Sequence, residues 1–562
     1  MHGTSGGTEA ARVFGRAALC ARRFGFVVRP KLADDIGTHV VVQPAPGQDD
    51  FGFGTNASTG TGTASQIDAA NEVLIVSVAD LENVSALVIQ ATDAGTVTLP
   101  LHEGRMADGR SVWYVLTDVS DQRLAQKEGL NYSPKLANAP DAELPTLLLG
   151  LLPSAPGATA RVAVGRDTRP SGPALLDALT AGVQALGPHA SIIDLGLRTT
   201  PELHFAVDAI NRGVWAGDDT YTAHLAAAFV AVLEGAPNGG CPRAPLVVDA
   251  ANGIGARAMA RLAAQLHATE HLRGWPIAVC NTDGVLNAGC GADFVKTGQC
   301  APAGVASNTH SHFATLDGDA DRLLYFFFDA GGAFRLLDGD RIAVLLALWL
   351  ERLLAASGLR AALSLGIVQT AYANGAATSH CRDALHVDVA LACTGVKHLH
   401  HVAAERFDIG IYFEANGHGT VLFGPRARTL IAAQGTPTLR ALLRLVNPCV
   451  GDAISDLLVV EAALLHLGLT LDAWLALYTE LPSRLLKVCV PDRAAYETCD
   501  ADTRLTRPPH LQARIDALVH SVPQGRAFVR PSGTEDVVRV YAEAADTDAC
   551  DQLAQAVAAL LF

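Results

Sequence analysis

From about residue 155 onwards, the hydrophobic positions of the chain follow two alternating periods. Short β-rich apolar runs are separated by stretches in which apolar residues recur at helical spacing. The strand-like runs lie at 161–165, 191–195, 363–369 and 408–413, with a further strand that begins at 246 and leads into a glycine-containing turn by 255, and the clearest helical patterns fill 171–186 and 256–266. Strands that alternate with helices indicate βαβ units. The sequence therefore predicts an α/β fold of several domains, in which mixed, mainly parallel sheets are flanked by helices.

The two ends of the chain depart from this pattern. Residues 452–477 are predicted to be largely helical, and strands at 485–490 and 526–541 precede closing helices. This mixture indicates an α+β domain at the C-terminus. In the N-terminal part, Gly and Thr crowd residues 51–63, a composition typical of loops, and only short β-rich runs follow at 73–78, 84–91 and 112–116.

We predict four parts from these patterns. They are an atypical N-terminal region at 1–155, α/β domains at 156–300 and 301–430, and a C-terminal α+β domain at 431–562. A chain of 562 residues, 49% hydrophobic and 18% charged, supplies enough apolar surface for several such cores.

The composition also excludes some classes of function. A formal net charge of −15 argues against nucleic acid as a main partner. The most apolar run, 342–350, is far shorter than the roughly 20 residues that span a bilayer. We therefore predict that this run is a buried helix and that the chain has no membrane segment.

The cysteine content bears on the location of the protein. Its eleven cysteines form no C-x-x-C pair, so we expect reduced thiols and an intracellular, cytoplasmic protein. The arginine-rich first 30 residues also permit an organelle transit peptide, although we favour an amphipathic first helix. The acidic composition is compatible with a monomer.

Three carboxylates alternate in the segment Leu316-Asp-Gly-Asp-Ala-Asp-Arg322. On an extended turn, Asp317, Asp319 and Asp321 project to one side, where their charges repel one another unless a cation lies between them. Oxygen ligands of this kind suit a hard divalent ion, above all Mg²⁺ when a phosphate adds further oxygens. A solvated acidic turn and a calcium loop of another design are the alternatives.

A second candidate site is the segment Phe528-Val-Arg-Pro-Ser-Gly-Thr-Glu-Asp-Val-Val-Arg539. A strand here ends in Arg530, whose planar fork suits a phosphate, and Arg539 on the return strand adds a second fork. Ser532 and Thr534 offer hydroxyl donors, and Gly533 lets backbone N–H groups approach an anion. An ordinary hairpin loop is the alternative, but the two arginines disfavour it.

Three further segments carry candidate chemistry. Residues 165–172 (GRDTRPSG) end a strand and begin a helix, as in a capped turn or a phosphate contact. Glu414 and Asn416 follow a strand two residues apart, a spacing that suits contacts to the same sugar hydroxyls; a polar strand end with a glycine-rich turn is the alternative. Lys397, His398, His400 and His401 form a basic cluster that we assign to phosphate or sugar contacts or to structural histidines, because no carboxylate or Cys pattern supports a transition metal.

Together these segments resemble the α-D-phosphohexomutase family, and most closely its phosphoacetylglucosamine mutase branch. The family combines an Asp-Gly-Asp-Ala-Asp-Arg metal loop, a sugar loop with an acid near its start, and an Arg-Pro-Ser-Gly-Thr phosphate loop. The resemblance runs from about residue 137 to the end and is strongest at 290–296, 368–375, 394–401 and 413–419.

The resemblance implies a reaction and a site. It implies interconversion of N-acetylglucosamine 6-phosphate and 1-phosphate through a phosphoserine and a bisphosphate intermediate, which feeds UDP-N-acetylglucosamine synthesis. One Mg²⁺ per chain would be held by the three Asp residues, with Arg322 beside the phosphoserine. The implied substrate-binding residues are Glu414, Ala415, Asn416, Arg530, Pro531, Ser532, Gly533, Thr534 and Arg539.

The N-terminal region departs from the family. The Thr-Ala-Ser-His-Asn-Pro segment that carries the phosphorylated serine is absent, and the nearest trace is Thr63-Ala-Ser-Gln66. Ser65 is therefore the candidate nucleophile, although the same residues suit a loop. We favour a working mutase whose serine loop has diverged or whose N-terminal region is misassembled in this sequence. The alternatives are a mutase of other hexose phosphates, a non-catalytic sugar-phosphate or Mg²⁺-binding relative, and a fusion of an unrelated N-terminal module with mutase domains.

Overall fold

The computed structural model describes the chain in separate ranges. They are 26–31, 39–44, 86–90, 96–100, 102–105, 111–114, 160–184, 190–237, 242, 244–307, 309–532 and 537–561. Ser65, Gly533 and Thr534 lie outside these described residues, and so does most of the predicted N-terminal region.

The described N-terminal segments are three antiparallel strand pairs. Their strands are β1 Phe26–Lys31, β2 His39–Pro44, β3 Ala86–Gln90, β4 Thr96–Pro100, β5 His102–Arg105 and β6 Ser111–Tyr114. β1 pairs with β2, β3 with β4 and β5 with β6. Of the three predicted β-rich runs, 84–91 and 112–116 correspond to β3 and β6, and 73–78 lies outside the described residues.

The next part of the structure is built around one parallel strand pair. It comprises β7 Ala160–Arg166, α1 Gly172–Gln184, β8 Ala190–Leu197, α2 Thr200–Asn211 and α3 Thr220–Leu233. β7 and β8 are joined through α1, which is the βαβ unit predicted from the alternating pattern.

A five-stranded sheet follows, in the order β10-β9-β11-β12-β13. Its elements are β9 Leu246–Asp249, α4 Gly255–Ala268, β10 Ile277–Cys280, α5 Ala292–Gly298, β11 His312–Leu316, β12 Leu323–Phe328 and β13 Phe334–Leu337. β9, β10 and β11 are parallel, whereas β12 and β13 are antiparallel to their neighbours. The turn that carries the three Asp residues therefore connects two central, buried strands.

The next sheet has four strands in the order β15-β14-β16-β17, with β17 antiparallel at one edge. Its elements are α6 Gly339–Ala356, β14 Leu365–Thr370, α7 Gly375–Ser379, β15 Asp388–Ala392, α8 Val396–Arg406, β16 Ile409–Phe413 and β17 Gly419–Phe423. The predicted buried helix at 342–350 is confirmed as the middle of α6, whose residues there are almost all buried.

Helices α9 Pro425–Gln434, α10 Pro437–Leu445, α11 Ala453–Leu467 and α12 Leu471–Leu475 come next. They share one hydrophobic core with both sheets, and this central core extends from Phe205 to Tyr478. Among the described helices none is both long and apolar enough to cross a membrane.

The C-terminal unit has a separate core. It contains β18 Ser483–Cys489, β19 Glu497–Cys499, β20 Arg504–Arg507, α13 Pro509–His520, β21 Arg526–Pro531, β22 Val537–Glu543 and α14 Thr547–Ala558. An antiparallel sheet in the order β18-β22-β21 packs against the helices, with Val529, Val540 and Leu553 in its core. This is the α+β arrangement that the sequence predicts.

Candidate active site

The three Asp residues of the metal loop, residues 317–322, converge as their spacing predicts. One carboxylate oxygen from each of Asp317, Asp319 and Asp321 lies within 4.8 Å of the other two. The side chain of Asp317 also shapes the turn, because its Oδ1 accepts the backbone N–H groups of Asp321 at 3.0 Å and of Arg322 at 3.2 Å. In the part of the chain that the structure describes, this is the one cluster of three acids, histidines or cysteines that is close enough to hold a metal ion.

The backbone of the metal loop lies against a glycine turn. Gly318 accepts a hydrogen bond from the N–H of Ile254, and a side chain at Gly253 would come within 2.3 Å of the same carbonyl oxygen. Gly253 is therefore required by close approach. This contact fixes the loop at the carboxyl ends of parallel strands, the usual place for ligands in α/β sheets.

Asp319 is held by Thr200, the first residue of α2, and by Arg169, which lies between β7 and α1. The hydroxyl of Thr200 donates to its Oδ2 at 2.7 Å, and the N–H of Thr200 donates to its backbone oxygen at 3.2 Å. Arg169 lies 3.5 Å from the other carboxylate oxygen. The segment 165–172, for which a capped turn and a phosphate contact were both open, thus contacts the metal loop through Arg169.

The metal loop carries more negative charge than its protein neighbours balance. Burial, together with the charges of Asp321 and Asp319, raises the pKa of Asp317 well above its usual value. A divalent cation among the carboxylates would remove this penalty, and an all-oxygen donor set fits a hard ion such as Mg²⁺. The residues present therefore fit the ion that the sequence predicts.

Arg322 and His418 connect the metal loop to the sugar loop, residues 414–418. The two residues form an isolated antiparallel bridge, and the N–H of Leu323 donates to the oxygen of Gly417 at 3.0 Å. The guanidinium of Arg322 pairs with Asp293 at 3.1 Å. His418 Nε2 lies 3.6 Å from Asp321, and burial lowers the pKa of this imidazole.

The sugar loop is a tight turn between β16 and β17. The N–H of Gly417 donates to the backbone oxygen of Glu414, and Asn416 Oδ1 accepts the N–H of His418 at 3.0 Å, which leaves the Asn416 amide nitrogen for other partners. Glu414 Oε1 accepts the N–H of Gly395 at 3.1 Å. Ala415 lies between the two polar residues of this turn. A Cβ at Gly339 would come within 1.9 Å of the Glu414 carbonyl oxygen, so only glycine fits beneath the loop.

The two arginines of the phosphate segment stand on neighbouring strands. Arg530 on β21 is the direct register partner of Arg539 on β22, and Pro531 is paired with Val538. Directly opposed residues of an antiparallel pair share one face of the sheet, so both arginines belong to one surface. Arg530 Nε lies 3.0 Å from Asp502.

Ser532 begins the turn after Arg530 and is buried. Its backbone closes the hairpin, since the N–H donates to the oxygen of Val537 at 2.9 Å, and its carbonyl accepts from Arg493 at 2.8 Å. The rest of this predicted phosphate loop, Gly533 and Thr534, falls outside the described residues.

The histidine cluster on α8 divides into two kinds of residue. His400 Nδ1 is 2.9 Å from the hydroxyl of Tyr412, and burial lowers the pKa of this imidazole. His401 is exposed and lies 3.2 Å from Glu405, one helical turn away. The role of the cluster stays a prediction; Lys397 and His398 stand in the first turn of α8, directly after Gly395, whose N–H binds Glu414.

Sequence reasoning missed Thr200, Asp502 and Thr394. A signal existed for Thr200, because Thr199-Thr200-Pro201-Glu202 matches a helix capping box and Thr199 caps α2 through the N–H of Glu202 at 3.1 Å. The first N–H of a capped helix is left for an outside acceptor, which here is Asp319. Thr394 begins a segment that resembles the family, but no local pattern marks Asp502 or its contact with Thr394, because the two residues are 108 positions apart.

Comparison with known proteins agrees with this arrangement. The family models of phosphoacetylglucosamine mutase AMG1 domains II and III match residues 221–324 and 338–469. The phosphoglucomutase/phosphomannomutase models of alpha/beta/alpha domain I and of the C-terminal domain match 146–225 and 485–560. These ranges divide the chain at other residues than our own domain boundaries, which stay a prediction.

Relatives with the same name come from distant organisms. The phosphoacetylglucosamine mutase of Sus scrofa is 43% identical over 449 residues, which cover 77% of this chain and 81% of the relative. That of Arabidopsis thaliana is 44% identical over 431 residues, or 72% of this chain and 76% of the relative. Among solved structures, Aspergillus fumigatus N-acetylphosphoglucosamine mutase in complex with GlcNAc-6P and magnesium has a TM-score of 0.70 and 44% identity, covering 76% of this chain and 82% of that one.

A solved structure of an N-acetylglucosamine-phosphate mutase, described as a member of the α-D-phosphohexomutase superfamily, has a TM-score of 0.68. The α/β sheets of this chain, and the loops that meet between them, are those of an α-D-phosphohexomutase. Within that class, the chain belongs to the phosphoacetylglucosamine mutase family.

Proposed function

We propose that this protein interconverts N-acetylglucosamine 6-phosphate and N-acetylglucosamine 1-phosphate, and so supplies the sugar 1-phosphate for UDP-N-acetylglucosamine synthesis. The observation that carries the proposal is the convergence of Asp317, Asp319 and Asp321 beside the sugar loop. Arg322, at the end of the metal loop, pairs with His418 of the sugar loop. Family membership and the GlcNAc-6P complex of the A. fumigatus relative support the choice of substrate.

The metal loop is proposed to hold one Mg²⁺ per chain. Bound there, the ion would neutralise negative charge on a phosphoryl group during its transfer. The chain's own contribution is to keep the three carboxylates together against their repulsion. Thr200 and the backbone of the Asp317 turn do this, because their hydrogen bonds fix the carboxylates of Asp319 and Asp317.

The remaining steps follow from the positions of charge. Arg322 would stabilise the transferring phosphoryl group from the side of the metal loop, since its guanidinium lies 3.9 Å from Asp317 and 3.8 Å from Asp321. Arg530, Pro531, Ser532 and Arg539 would anchor the phosphate that is not reacting, together with Gly533 and Thr534. Glu414, Ala415 and Asn416 would orient the sugar between the two phosphates. Such positioning accounts for most of the catalysis in phosphoryl transfer.

Ser65 is the proposed nucleophile. Ser65 stays a prediction, since it lies outside the described residues and the usual serine motif is absent. The test is peptide mass spectrometry after incubation with Mg²⁺ and a hexose 1,6-bisphosphate. We expect one added phosphoryl group on Ser65, and none in a Ser65→Ala variant.

The outcomes separate the competing functions. Phosphorylation elsewhere in 1–155 would keep the mutase and replace the nucleophile. No phosphorylation of the folded chain, with GlcNAc-6-phosphate still bound, would leave a non-catalytic sugar-phosphate-binding relative. Faster turnover of glucose 6-phosphate than of the N-acetylated substrate would make the chain a mutase of other hexose phosphates.

We also propose that the protein acts as a monomer in the cytoplasm. The nine cysteines that the structure describes are free thiols, which supports a reducing compartment. Size-exclusion chromatography with light scattering tests the monomer, and fractionation of cells tests the location against an organelle.

A further inference from the structure

Asp502 lies where the phosphate-binding strands approach the four-stranded sheet. It belongs to the turn between β19 and β20, and its side chain is 13% exposed. Its Oδ2 lies 3.0 Å from Arg530 Nε and accepts the N–H of Thr394 at 3.1 Å and the Thr394 hydroxyl at 3.3 Å. Its Oδ1 accepts the hydroxyl of Thr498 at 3.0 Å. One carboxylate therefore contacts a strand of the C-terminal unit and a loop of the central part.

The turn that presents Asp502 is strained. Asp500, Ala501 and Asp502 are consecutive residues with φ values of 52°, 55° and 67°, in the left-handed region that residues other than glycine rarely adopt. A run of three such residues persists only where the surroundings enforce it, and strain of this kind concentrates at functional sites. In this turn the Asp502 carboxylate lies 3.0 Å from Arg530 Nε.

The other side of the contact leads to the sugar loop. Thr394 and Gly395 precede α8, and their adjacent N–H groups bind two different carboxylates. The N–H of Thr394 binds Asp502, and that of Gly395 binds Glu414 at 3.1 Å. Polar contacts on either side of the Thr394–Gly395 peptide thus connect Arg530 to Glu414, the residue that we assign to the sugar.

We propose that Asp502 is a positioning residue with two roles. It orients Arg530 for phosphate, and it holds the phosphate-binding strands β21 and β22 at a fixed position relative to the sugar loop. The choice of ligand rests on the proposed function. By engaging Nε, Asp502 limits the rotation of the guanidinium, so that Arg530 meets an incoming anion in a fixed orientation. An arginine side chain that is already ordered loses less conformational entropy when it binds phosphate.

The fixed position of Arg530 relative to the sugar loop has a specific consequence for ligands. A sugar phosphate has to reach Arg530 and Glu414 at once, whereas inorganic phosphate has to reach only the arginine side. Loss of Asp502 is therefore expected to weaken the sugar phosphate more than the free anion. A residue that only kept the turn folded would not distinguish between these ligands.

Three variants of the full chain test this. Asp502→Ala removes the carboxylate, and Asp500→Ala is its matched control, because Asp500 is exposed, lies in the same turn and has the same backbone region. Ala501 shows that alanine is accommodated there. Asp502→Asn keeps an acceptor for Arg530 and Thr394, while its amide group can donate to the Thr498 hydroxyl.

The first readout is hydrogen exchange of the peptide that contains Thr394 and Gly395, measured without ligand by mass spectrometry. Exchange is expected to accelerate in Asp502→Ala and to stay unchanged in Asp500→Ala and Asp502→Asn. The second readout is calorimetric affinity for N-acetylglucosamine 6-phosphate and for inorganic phosphate. We expect Asp502→Ala to lose about tenfold for the sugar phosphate and at most about threefold for inorganic phosphate.

Several results would overturn the proposal. They are unchanged exchange at 394–395 in Asp502→Ala, an equal loss for the two ligands, or an equal loss in the Asp500→Ala control. If the unsubstituted chain bound inorganic phosphate but no N-acetylglucosamine 6-phosphate, the proposed substrate would fail. The ligand-free exchange comparison would still decide whether Asp502 holds the Thr394 loop.

Discussion

The metal loop and the phosphate-binding strands hold opposite charges by different structural means. The metal loop joins β11 to β12, two buried strands of the central core, and its carboxylates repel one another. The phosphate arginines stand on a unit with its own small core. That unit meets the central part through polar bonds from Arg526 to Ala371 and Ala373, and through Asp502.

The difference indicates a division of work within one site. The central part can hold crowded charge because a large core fixes the backbone around it. The C-terminal unit adds the proposed phosphate anchor, whose placement depends on a few hydrogen bonds and on aromatic packing of Tyr372 against Phe528 and Tyr541. Changes in the metal loop should therefore act on turnover, and changes in the C-terminal unit on affinity.

The largest effect is expected for Asp319→Ala. The variant removes one of the three carboxylates that we propose to bind the metal, so turnover should fall by about a thousandfold, as when a main electrostatic contact to a transition state is lost. Turnover of N-acetylglucosamine 6-phosphate measures this, with the exposed Asp283→Ala as control. Affinity for inorganic phosphate should not change. A loss below about tenfold would contradict the metal assignment.

A second large effect is expected for Arg530→Ala, now on affinity. Removing a charge-assisted contact of about 3 kcal/mol should raise KM by about a hundredfold, while Mg²⁺ affinity stays the same. Arg504→Ala is the control, because Arg504 forms a surface pair with Asp516 in the same unit. A drop in Mg²⁺ affinity would show that the two halves are not separable in this way.

These two sites were predictable from sequence to different degrees. The metal loop consists of six consecutive residues, so its sequence alone predicts both the convergence of the carboxylates and the turn. The pairing of Arg530 with Arg539 also follows from the strand–turn–strand pattern. What holds the C-terminal unit in place was not predictable, because Asp502 and Thr394 are 108 positions apart. Such contacts depend on how domains pack, and they leave no periodic signal.

The secondary structure shows the same limit. The alternating pattern predicts β7, α1 and β8 nearly to the residue, since each is an uninterrupted periodic run. It does not reveal that α9 to α12 join the central core, because amphipathic helices bury their apolar faces against any suitable neighbour.

Glu543→Gln probes the junction between the two halves. The buried carboxylate of Glu543 accepts from Arg526 at 2.8 and 2.9 Å, from the N–H of Gly375 at 3.1 Å and from the Tyr541 hydroxyl at 2.9 Å. A glutamine amide would face donors only, which costs about 1–3 kcal/mol. We expect KM to rise about tenfold, with Mg²⁺ affinity unchanged.

The control for this variant is Glu497→Gln in the more exposed pair with Arg507. Tryptophan fluorescence adds a second check, because residues 483–561 contain no tryptophan and Trp275, Trp349 and Trp474 are buried in the central core. The urea transition seen by fluorescence should stay in place for Glu543→Gln. A shift would mean that the central part depends on the junction for its stability.

The smallest effect concerns pH and is confined to the central part. His312, the first residue of β11, lies 3.1 Å from both carboxylate oxygens of Glu461 on α11. Burial lowers the pKa of His312, but the charge and hydrogen bond of Glu461 outweigh it, so the pKa is raised overall. Because folding favours the protonated imidazole, the His312–Glu461 pair stabilises the folded protein fully below the pKa of the unfolded state, near 6.5. This contribution is lost as pH rises through the raised pKa of the folded state.

His312→Gln should therefore lower the free energy of unfolding by about 1 kcal/mol at about pH 6 and by less at about pH 9. Urea unfolding followed by tryptophan fluorescence measures the difference, with the exposed His510→Gln as control. Phosphate affinity should be the same in all three proteins, because the His312 contacts among the described residues lie at the sheet–helix junction of the central part. A deficit that grows with pH would reverse the sign and show that the imidazole is neutral in the folded protein, so that Glu461 does not hold it as a cation.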